Sequence, residues 1–210
     1  MQWLSKALAK GPDLKAEVLD AGTEIPGSRL QWKLHEGKRK DNGAAVSVLS
    51  FEITGSTPEV EAAAARNALH RLKTTRHPHV LLYIDGAEPP EGSKSGKVYV
   101  VVEHVRPLEQ VLSAAAQDKS SHAWGLWTVA QAMQFFNSDC HMLHGNLCIP
   151  SIFVSDCGDW KLGGFELASE VGGKDGLFRR ADSLRVARVM PPEVRVNKAA
   201  EGAPERAREG

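Results

Sequence analysis

The sequence predicts an α+β fold in two lobes: a β-rich first lobe with one helix, and a mostly helical second lobe. Two observations predict it. Five runs of β-forming residues surround a single helical pattern in the first half, and from Leu108 onward the apolar spacing becomes largely helical. Strands followed by helices are typical of α+β proteins. With 210 residues, 42% of them apolar, the chain can bury a substantial core.

The first lobe is expected at about residues 15–105, after an N-terminal extension at residues 1–14. Its strands are predicted at residues 17–21, 30–36, 45–53, 80–84 and 98–103. The last two runs are almost continuously apolar, which favours strands covered on both faces. Ser56 with Glu59 matches a capping box and Pro58 suits a first helical turn, so a helix is predicted to start there and to end before His77 and its following proline.

The second lobe is expected at about residues 106–193. A helix is predicted at residues 123–139, followed by two short strands at residues 152–155 and 160–162. The helix carries Trp124, Trp127 and Phe135, and we expect part of this apolar surface to be exposed because little apolar sequence follows to cover it. Residues 194–210 have many charges and no apolar periodicity, which predicts a disordered tail.

Composition argues against several classes of function. The 26 basic and 26 acidic side chains give a formal net charge of zero, whereas surfaces that bind nucleic acid or anionic membranes need a basic excess. No apolar run reaches the ~18–20 residues of a membrane span, and the charged N-terminus is unlike a secretory signal. Three closely spaced cysteines do not make a disulfide framework. We therefore expect a cytoplasmic protein with protein partners, without direct nucleic-acid contacts or a membrane span.

Three local patterns suggest chemistry, but each has a simpler explanation. A cluster of possible zinc ligands comprises Cys140, His141, His144, Cys148 and Cys157. Its cysteines lack the close pairing of structural zinc sites, so no metal site is predicted. The basic run at residues 38–40 fits a solvated hairpin turn. Residues 22–27 resemble a phosphate-binding glycine loop only weakly, because Glu24 at the middle position would repel phosphate; an ordinary turn is favoured.

Four segments, taken in order, resemble the motifs of a protein kinase domain. Residues 46–49 (Val-Ser-Val-Leu) resemble the strand with the phosphate-binding lysine, and residues 144–146 (His-Gly-Asn) resemble the catalytic His-Arg-Asp. Residues 163–166 (Gly-Gly-Phe-Glu) resemble the metal-binding Asp-Phe-Gly, and residues 190–193 (Met-Pro-Pro-Glu) resemble the closing Ala-Pro-Glu. The resemblance covers about residues 15–193 and implies a kinase-like fold with an incomplete second lobe.

The reactive groups of a kinase are replaced at every matching position. Leu49 stands for the lysine, Ala68 for its glutamate partner and Asn146 for the catalytic aspartate. Ser151 stands for the metal-binding asparagine, and Gly164 for the metal-binding aspartate. Phosphoryl transfer depends on those charges and on Mg²⁺. The resemblance therefore implies a pseudokinase with no catalytic residues and no metal.

Other carboxylates are too far away to substitute. Glu61 lies seven residues before Ala68, about 10 Å along a helix, and Asp159 lies about 16 Å before Gly164 along an extended chain. The resemblance leaves a vestigial nucleotide cleft formed by Gly22, Gly27, Val46, Val102, Glu103 and Val105. No cofactor is expected, with ATP as the open alternative.

A longer set of segments is similar to the Scy-like, or N-terminal kinase-like, pseudokinases. These segments are residues 32–40, 46–48, 72–78, 123–126, 137–140, 144–146 and 160–164. The resemblance implies a cytoplasmic scaffold, peripheral at the Golgi, that acts with coatomer or other trafficking components in Golgi-to-ER vesicle transport; tRNA-export machinery is a less favoured partner. Two alternatives stay open: a weak ATP-binding nucleotide sensor or residual protein kinase, and a truncated fragment without a function of its own.

Overall fold

A computed structural model describes residues 13–28, 30–114 and 119–171 of the chain. These residues form the two expected lobes, joined at His104. The predicted closing motif at residues 190–193, the charged tail at 194–210 and most of the N-terminal extension lie outside the described residues. In the part that the structure describes, no helix is both long and apolar enough to cross a membrane.

In its described residues the first lobe is built on an antiparallel sheet of six strands. Its strands are β1 (Ala16–Val18), β2 (Thr23–Glu24), β3 (Lys33–Arg39), β4 (Ala45–Ile53), β5 (Tyr83–Ala87) and β6 (Gly96–Glu103). The sheet order is β1-β3-β4-β6-β5, and β2 pairs with the other end of β3.

Several strands of this sheet differ from the sequence-based expectation. The strand predicted at residues 30–36 is β3 (Lys33–Arg39), and the strand predicted at residues 98–103 begins at Gly96. The strand predicted at residues 17–21 forms only as β1, and β2 lies within residues 22–27, which the sequence predicts as a turn. Between β1 and β2 the Gly22 N–H donates to the Asp20 carboxylate (3.0 Å), and Gly22 has φ +75°. The strand predicted at residues 80–84 begins only at Tyr83, because Val80 forms a parallel bridge to Leu162 of the second lobe. The predicted bounds of β4 are confirmed.

The helix in the described part of the first lobe, α1 (Glu59–Thr74), buries an apolar face against the sheet. The predicted capping box is wrong: Pro58 is the N-cap residue and no side chain caps the helix. The nearby hydroxyls close the preceding turn instead, since Thr57 Oγ1 accepts from the Thr54 N–H (2.9 Å) and Ser56 Oγ lies 3.0 Å from Thr54 Oγ1.

In its described residues the second lobe combines helices with short strands. Its elements are β7 (Val105–Pro107), α2 (Leu108–Ala114), α3 (Lys119–Gln134), β8 (Met142–Leu143), β9 (Ile152–Ser155), β10 (Trp160–Leu162) and β11 (Ser169–Glu170). The strands form a three-stranded sheet, in the order β10-β9-β7, and a two-stranded sheet of β8 and β11. The predicted helix at residues 123–139 begins earlier, and its last turn, Phe135–Asp139, is π-helical. The bounds of β9 and β10 are as predicted.

The buried face of α3 is not the tryptophan face. Gly125, Thr128, Val129 and Ala132 are buried, and Gly125 is required at its position because a Cβ there would lie 2.2 Å from the Trp160 ring. Among the described residues, the stacked Trp124 and Trp127 are 53% and 47% exposed.

Candidate functional site

The cleft between the lobes contains very little free space. Both lobes line it, and the cavity has a volume of about 40 Å³. Sites for small molecules usually measure roughly 300–1,000 Å³. The lobes are therefore in direct contact where a kinase would hold its nucleotide.

Apolar side chains of the first lobe fill this cleft. The loop between β2 and β3 directs Ile25, Leu30 and Trp32 into the core, where they are 6%, 2% and 3% exposed. Leu49 of β4 joins the same cluster. The Trp32 ring packs at 5.8 Å from the Phe51 ring. This loop thus supplies packing at the place where a glycine-rich loop would bind phosphate.

The structure brings together the five positions that the resemblance matches to kinase functional residues. Leu49, Ala68, Asn146 and Gly164 all line the cavity. Ser151 lies next to them, since a Cβ added at Gly164 would be 2.4 Å from its Cβ. Gly164 also has φ +72°, a conformation that side-chain-bearing residues rarely adopt. An aspartate at this position would therefore have to displace Ser151.

The residues expected to form a vestigial cleft divide into two groups. Gly27 lines the cavity and packs against the second lobe, where its Cβ position lies 3.1 Å from Pro150. Val102 and Val105 belong to the apolar cluster that runs through the cleft.

The other three residues belong neither to the cavity lining nor to that apolar cluster. Alternation along β4 places Val46 on the opposite face of the sheet, in a separate cluster with Val48 and Val101. Gly22 packs over the His35 ring. Glu103 Oε1 accepts from the backbone N–H of Leu82 (2.9 Å), so this carboxylate is used to hold the chain between α1 and β5.

A buried carboxyl group, which the sequence analysis did not identify, lies in the cleft. Glu166 is 8% exposed, and Asn146 Nδ2 donates to its Oε2 (2.9 Å) and to the Gly164 carbonyl (3.3 Å). Burial raises the pKa of Glu166. Three groups oppose that rise: the residue's own backbone N–H, the Asn146 amide and the nearby Trp32 indole. The Trp32 Nε1–H is close but makes no hydrogen bond of good geometry within the described residues.

Asn67 of α1 connects the first lobe to the segment after β10. Its Nδ2 group donates to the carbonyls of Phe165, Glu166 and Ala168 at 3.2, 3.0 and 2.9 Å. Arg71 Nε donates to Asn67 Oδ1 (3.3 Å), which fixes the orientation of the amide. Asn67 directly precedes Ala68, the position matched to the helix glutamate of a kinase, and it links the helix through an uncharged amide to the segment after β10. An asparagine inside a helix is the sequence signal that could have identified it.

His144 has a structural role. It is 1% exposed, its Nε2–H donates to the Gly163 carbonyl (2.8 Å), and its Nδ1 accepts from the Asn146 N–H (3.3 Å). Burial lowers the pKa of His144 to about 4, so the ring is neutral. Across the described residues, no group of three or more His, Cys, Asp or Glu side chains could hold a metal ion, and Cys140, Cys148 and Cys157 are free thiols.

The charges of the cavity wall do not suit a nucleotide. No lysine, arginine or histidine lines the cavity in the part of the chain that the structure describes, and Glu166 is its single carboxyl group there. Triphosphate binding requires cationic side chains or metal ions to neutralise its charge. This cavity offers an apolar wall and a buried acid instead.

Comparisons with known proteins agree with this geometry. Residues 28–202 match the family model described as protein tyrosine and serine/threonine kinase. The chain is 35% identical over 164 residues to "Probable inactive serine/threonine-protein kinase scy1" of Dictyostelium discoideum, an alignment that covers 78% of this chain and 19% of that protein.

Two further relatives match more than half of the chain, and one of them is named for its association with another protein. The chain is 33% identical over 60% of its length to "Protein-associating with the carboxyl-terminal domain of ezrin" of Mus musculus, covering 16% of that protein. It is 25% identical over 70% of its length to "SCY1-like protein 2" of Homo sapiens, covering 18%. The chain thus spans about a fifth of the length of the curated relatives it matches.

The Asn67 link gives a direct prediction. Replacing Asn67 by aspartate keeps the shape of the side chain but removes both N–H donors, leaving three backbone carbonyls without this partner. We expect N67D to lower the free energy of unfolding by about 2 kcal/mol or more, measured by urea denaturation near neutral pH. N42D is the matched control, because exposed Asn42 only accepts a hydrogen bond, from the Ala44 N–H. An N67D variant as stable as N42D would contradict the proposed link.

Glu166 predicts a pH dependence of stability. A carboxyl group with a raised folded-state pKa holds its proton more tightly in the folded protein than in the unfolded chain. Stability therefore falls as the pH rises from the ordinary value of 4.5 through the raised value. E166Q removes this ionisation, so its stability relative to the wild type should increase from about pH 5 to about pH 8.

Urea denaturation at both pH values measures this difference, with E170Q as the control on an exposed glutamate. If E166Q and the wild type had parallel pH profiles, Glu166 would not be the buried acid described above.

Proposed function

Because the chain belongs to the protein tyrosine and serine/threonine kinase family, in its Scy1-like branch of inactive kinases, we propose that it is a scaffold that presents kinase-like lobes to partner proteins. The domain is a pseudokinase, not an enzyme. What we propose beyond this assignment is that the domain takes part in assembling other proteins.

One observation carries the proposal: the nucleotide cleft has become an apolar core. Trp32 and Leu49 pack into this core, and the free space that remains between the lobes measures about 40 Å³. Burial of apolar area at roughly 25 cal/mol per Å² stabilises this contact. The lobes can therefore keep their relative position without ATP, which is the property a scaffold needs.

The residues of the cleft do not fit a metal–nucleotide complex. Gly164 leaves no room for an aspartate against Ser151, and Leu49 supplies an alkyl group where a phosphate would need a cation. The group that the fold family would imply, Mg²⁺ with ATP, accordingly plays no part in the proposed function. The tests below would detect weak ATP binding without metal, or a residual kinase activity.

We extend the proposal to a cytoplasmic location, peripheral at the Golgi, and to coatomer-dependent vesicle transport. The support for this step is the similarity to Scy1-like proteins. The mouse relative is named for its association with a domain of ezrin, which supports a protein partner but points to a different one. tRNA-export machinery is the less favoured partner.

Nucleotide binding gives the first test. A ligand at 100 times its Kd stabilises a protein by about 2.7 kcal/mol, which raises the Tm of a domain of this size by roughly 5–10 °C. We expect no rise with ATP at about 5 mM, with or without Mg²⁺ or Mn²⁺, because the cleft is already filled. Differential scanning fluorimetry measures it, with an active kinase domain as the positive control.

Three other outcomes would count against the proposal. A metal-dependent rise in Tm would favour a nucleotide sensor. Phosphotransfer above that of a purified inactive kinase would favour a residual enzyme. A broad, non-cooperative melt with dye binding would favour a fragment without a function of its own.

Partner binding gives the second test. The immobilised chain should bind purified coatomer with a Kd of about 10 μM or tighter, and should bind the purified carboxyl-terminal domain of ezrin more weakly. Biolayer interferometry measures both, with an active kinase domain carrying the same tag as the control. Binding to ezrin alone, or to neither protein, would overturn the coatomer proposal for this domain.

A further inference from the structure

The connection between the lobes contains a histidine that bonds to both of them. His104 is the single residue between β6 and β7. Its Nδ1 lies 2.6 Å from Asp156 Oδ1, in the turn between β9 and β10 of the second lobe. Its Nε2 lies 3.0 Å from Glu36 Oε2, on β3 of the first lobe. One ring therefore links two carboxylates that belong to different lobes.

The chemistry of this arrangement determines the protonation state of the ring. A carboxylate only accepts hydrogen bonds, and a neutral imidazole has a single N–H to donate. In the neutral ring, one nitrogen lone pair would face a carboxylate oxygen at hydrogen-bond distance, which is repulsive. Only the imidazolium form donates to both. We propose that His104 is a protonated interlobe tie at neutral pH, and that its deprotonation weakens the connection between the lobes.

The surroundings of the ring agree with this assignment. Glu36 and Asp156 are the charged groups that act on the ring within the described residues. Partial burial lowers the pKa of His104, but the hydrogen bonds and charges of these two carboxylates raise it by more, so the net effect is a raised pKa. The adjacent Glu103 is engaged elsewhere, with the Leu82 N–H and Lys161.

Neighbouring charged groups do not compete for these carboxylates. Lys38 lies two residues after Glu36 on β3, and Arg106 lies two residues after His104 on β7. Neither forms an ion pair with Glu36 or Asp156 within the described residues. The two hydrogen bonds of His104 are therefore the polar contacts through which these carboxylates link the lobes.

A second tie at the same place is independent of pH. Ser47 Oγ of β4 donates to the Val105 carbonyl (3.1 Å) and accepts from the Val105 N–H (3.0 Å). The hinge, residues 103–105, thus has one contact without a titratable group, between Ser47 and Val105, and one that depends on protonation of His104. Because the folded-state pKa of His104 is raised, its contribution is fully present at low pH and is lost as the pH rises through that value. This inference concerns the hinge alone and does not depend on the proposed scaffold function.

Nuclear magnetic resonance of the full chain, with ¹⁵N-labelled histidine, tests the inference directly. The ring nitrogens of His104 should both show protonated shifts at about pH 7, and its titration midpoint should exceed the ordinary value of 6.5. His70 is the internal comparison, because among the residues that the structure describes its ring bonds to a single carboxylate, that of Glu88 (2.7 Å). A neutral His104 ring at about pH 7, with one protonated nitrogen, would overturn the proposal.

Variants of the carboxylates provide the matched test. E36Q and D156N should each lower the titration midpoint of His104. E17Q, which changes an exposed side chain of β1, should leave that midpoint unchanged. H104Q keeps a neutral donor and should lower Tm by about 2–4 °C near pH 6, and by less than half of that near pH 9. An unchanged midpoint in both carboxylate variants, or an H104Q effect independent of pH, would also contradict the interlobe tie.

Discussion

Apolar packing across the cleft is the interaction on which the rest of this structure depends. One core runs from Phe51 in the first lobe to Phe153 and Phe165 in the second, and Trp32 and Leu49 fill its centre. In an active kinase this region must stay open to exchange nucleotide. Here the same surface is buried by the protein's own side chains, so the free energy that holds the lobes together comes from the protein itself.

The polar contacts of the cleft follow from this burial. A lysine–glutamate pair without a nucleotide would lose its hydration in the closed cleft, and its mutual attraction would not reliably offset that cost. Amides avoid the problem because they satisfy backbone carbonyls without carrying a charge. Asn67 and Asn146 perform this role on either side of the segment that contains Glu166. The apolar site can hold the Glu166 carboxyl group because its raised pKa favours the neutral form.

A kinase fold held in one arrangement by its own side chains suits protein binding better than catalysis. The family membership and the inactive relative support this interpretation, and the filled cleft supplies its physical reason. The hinge adds a further element, since His104 joins β3 to the turn after β9 through charge-assisted hydrogen bonds. Lobe orientation, and with it any surface that spans both lobes, thus depends on packing in the cleft and on protonation at its edge.

The sequence by itself determined the fold class and the bounds of β4, β9 and β10, because these depend on local alternation of apolar residues and on motif order. Only the tertiary structure decided where helix α1 is capped, which face of β4 lines the cleft, and what fills it. Asn67 lies 99 residues from Glu166 and His104 lies 68 residues from Glu36. Local spacing contains no information about such pairs, since folding alone brings their polar atoms within hydrogen-bond distance.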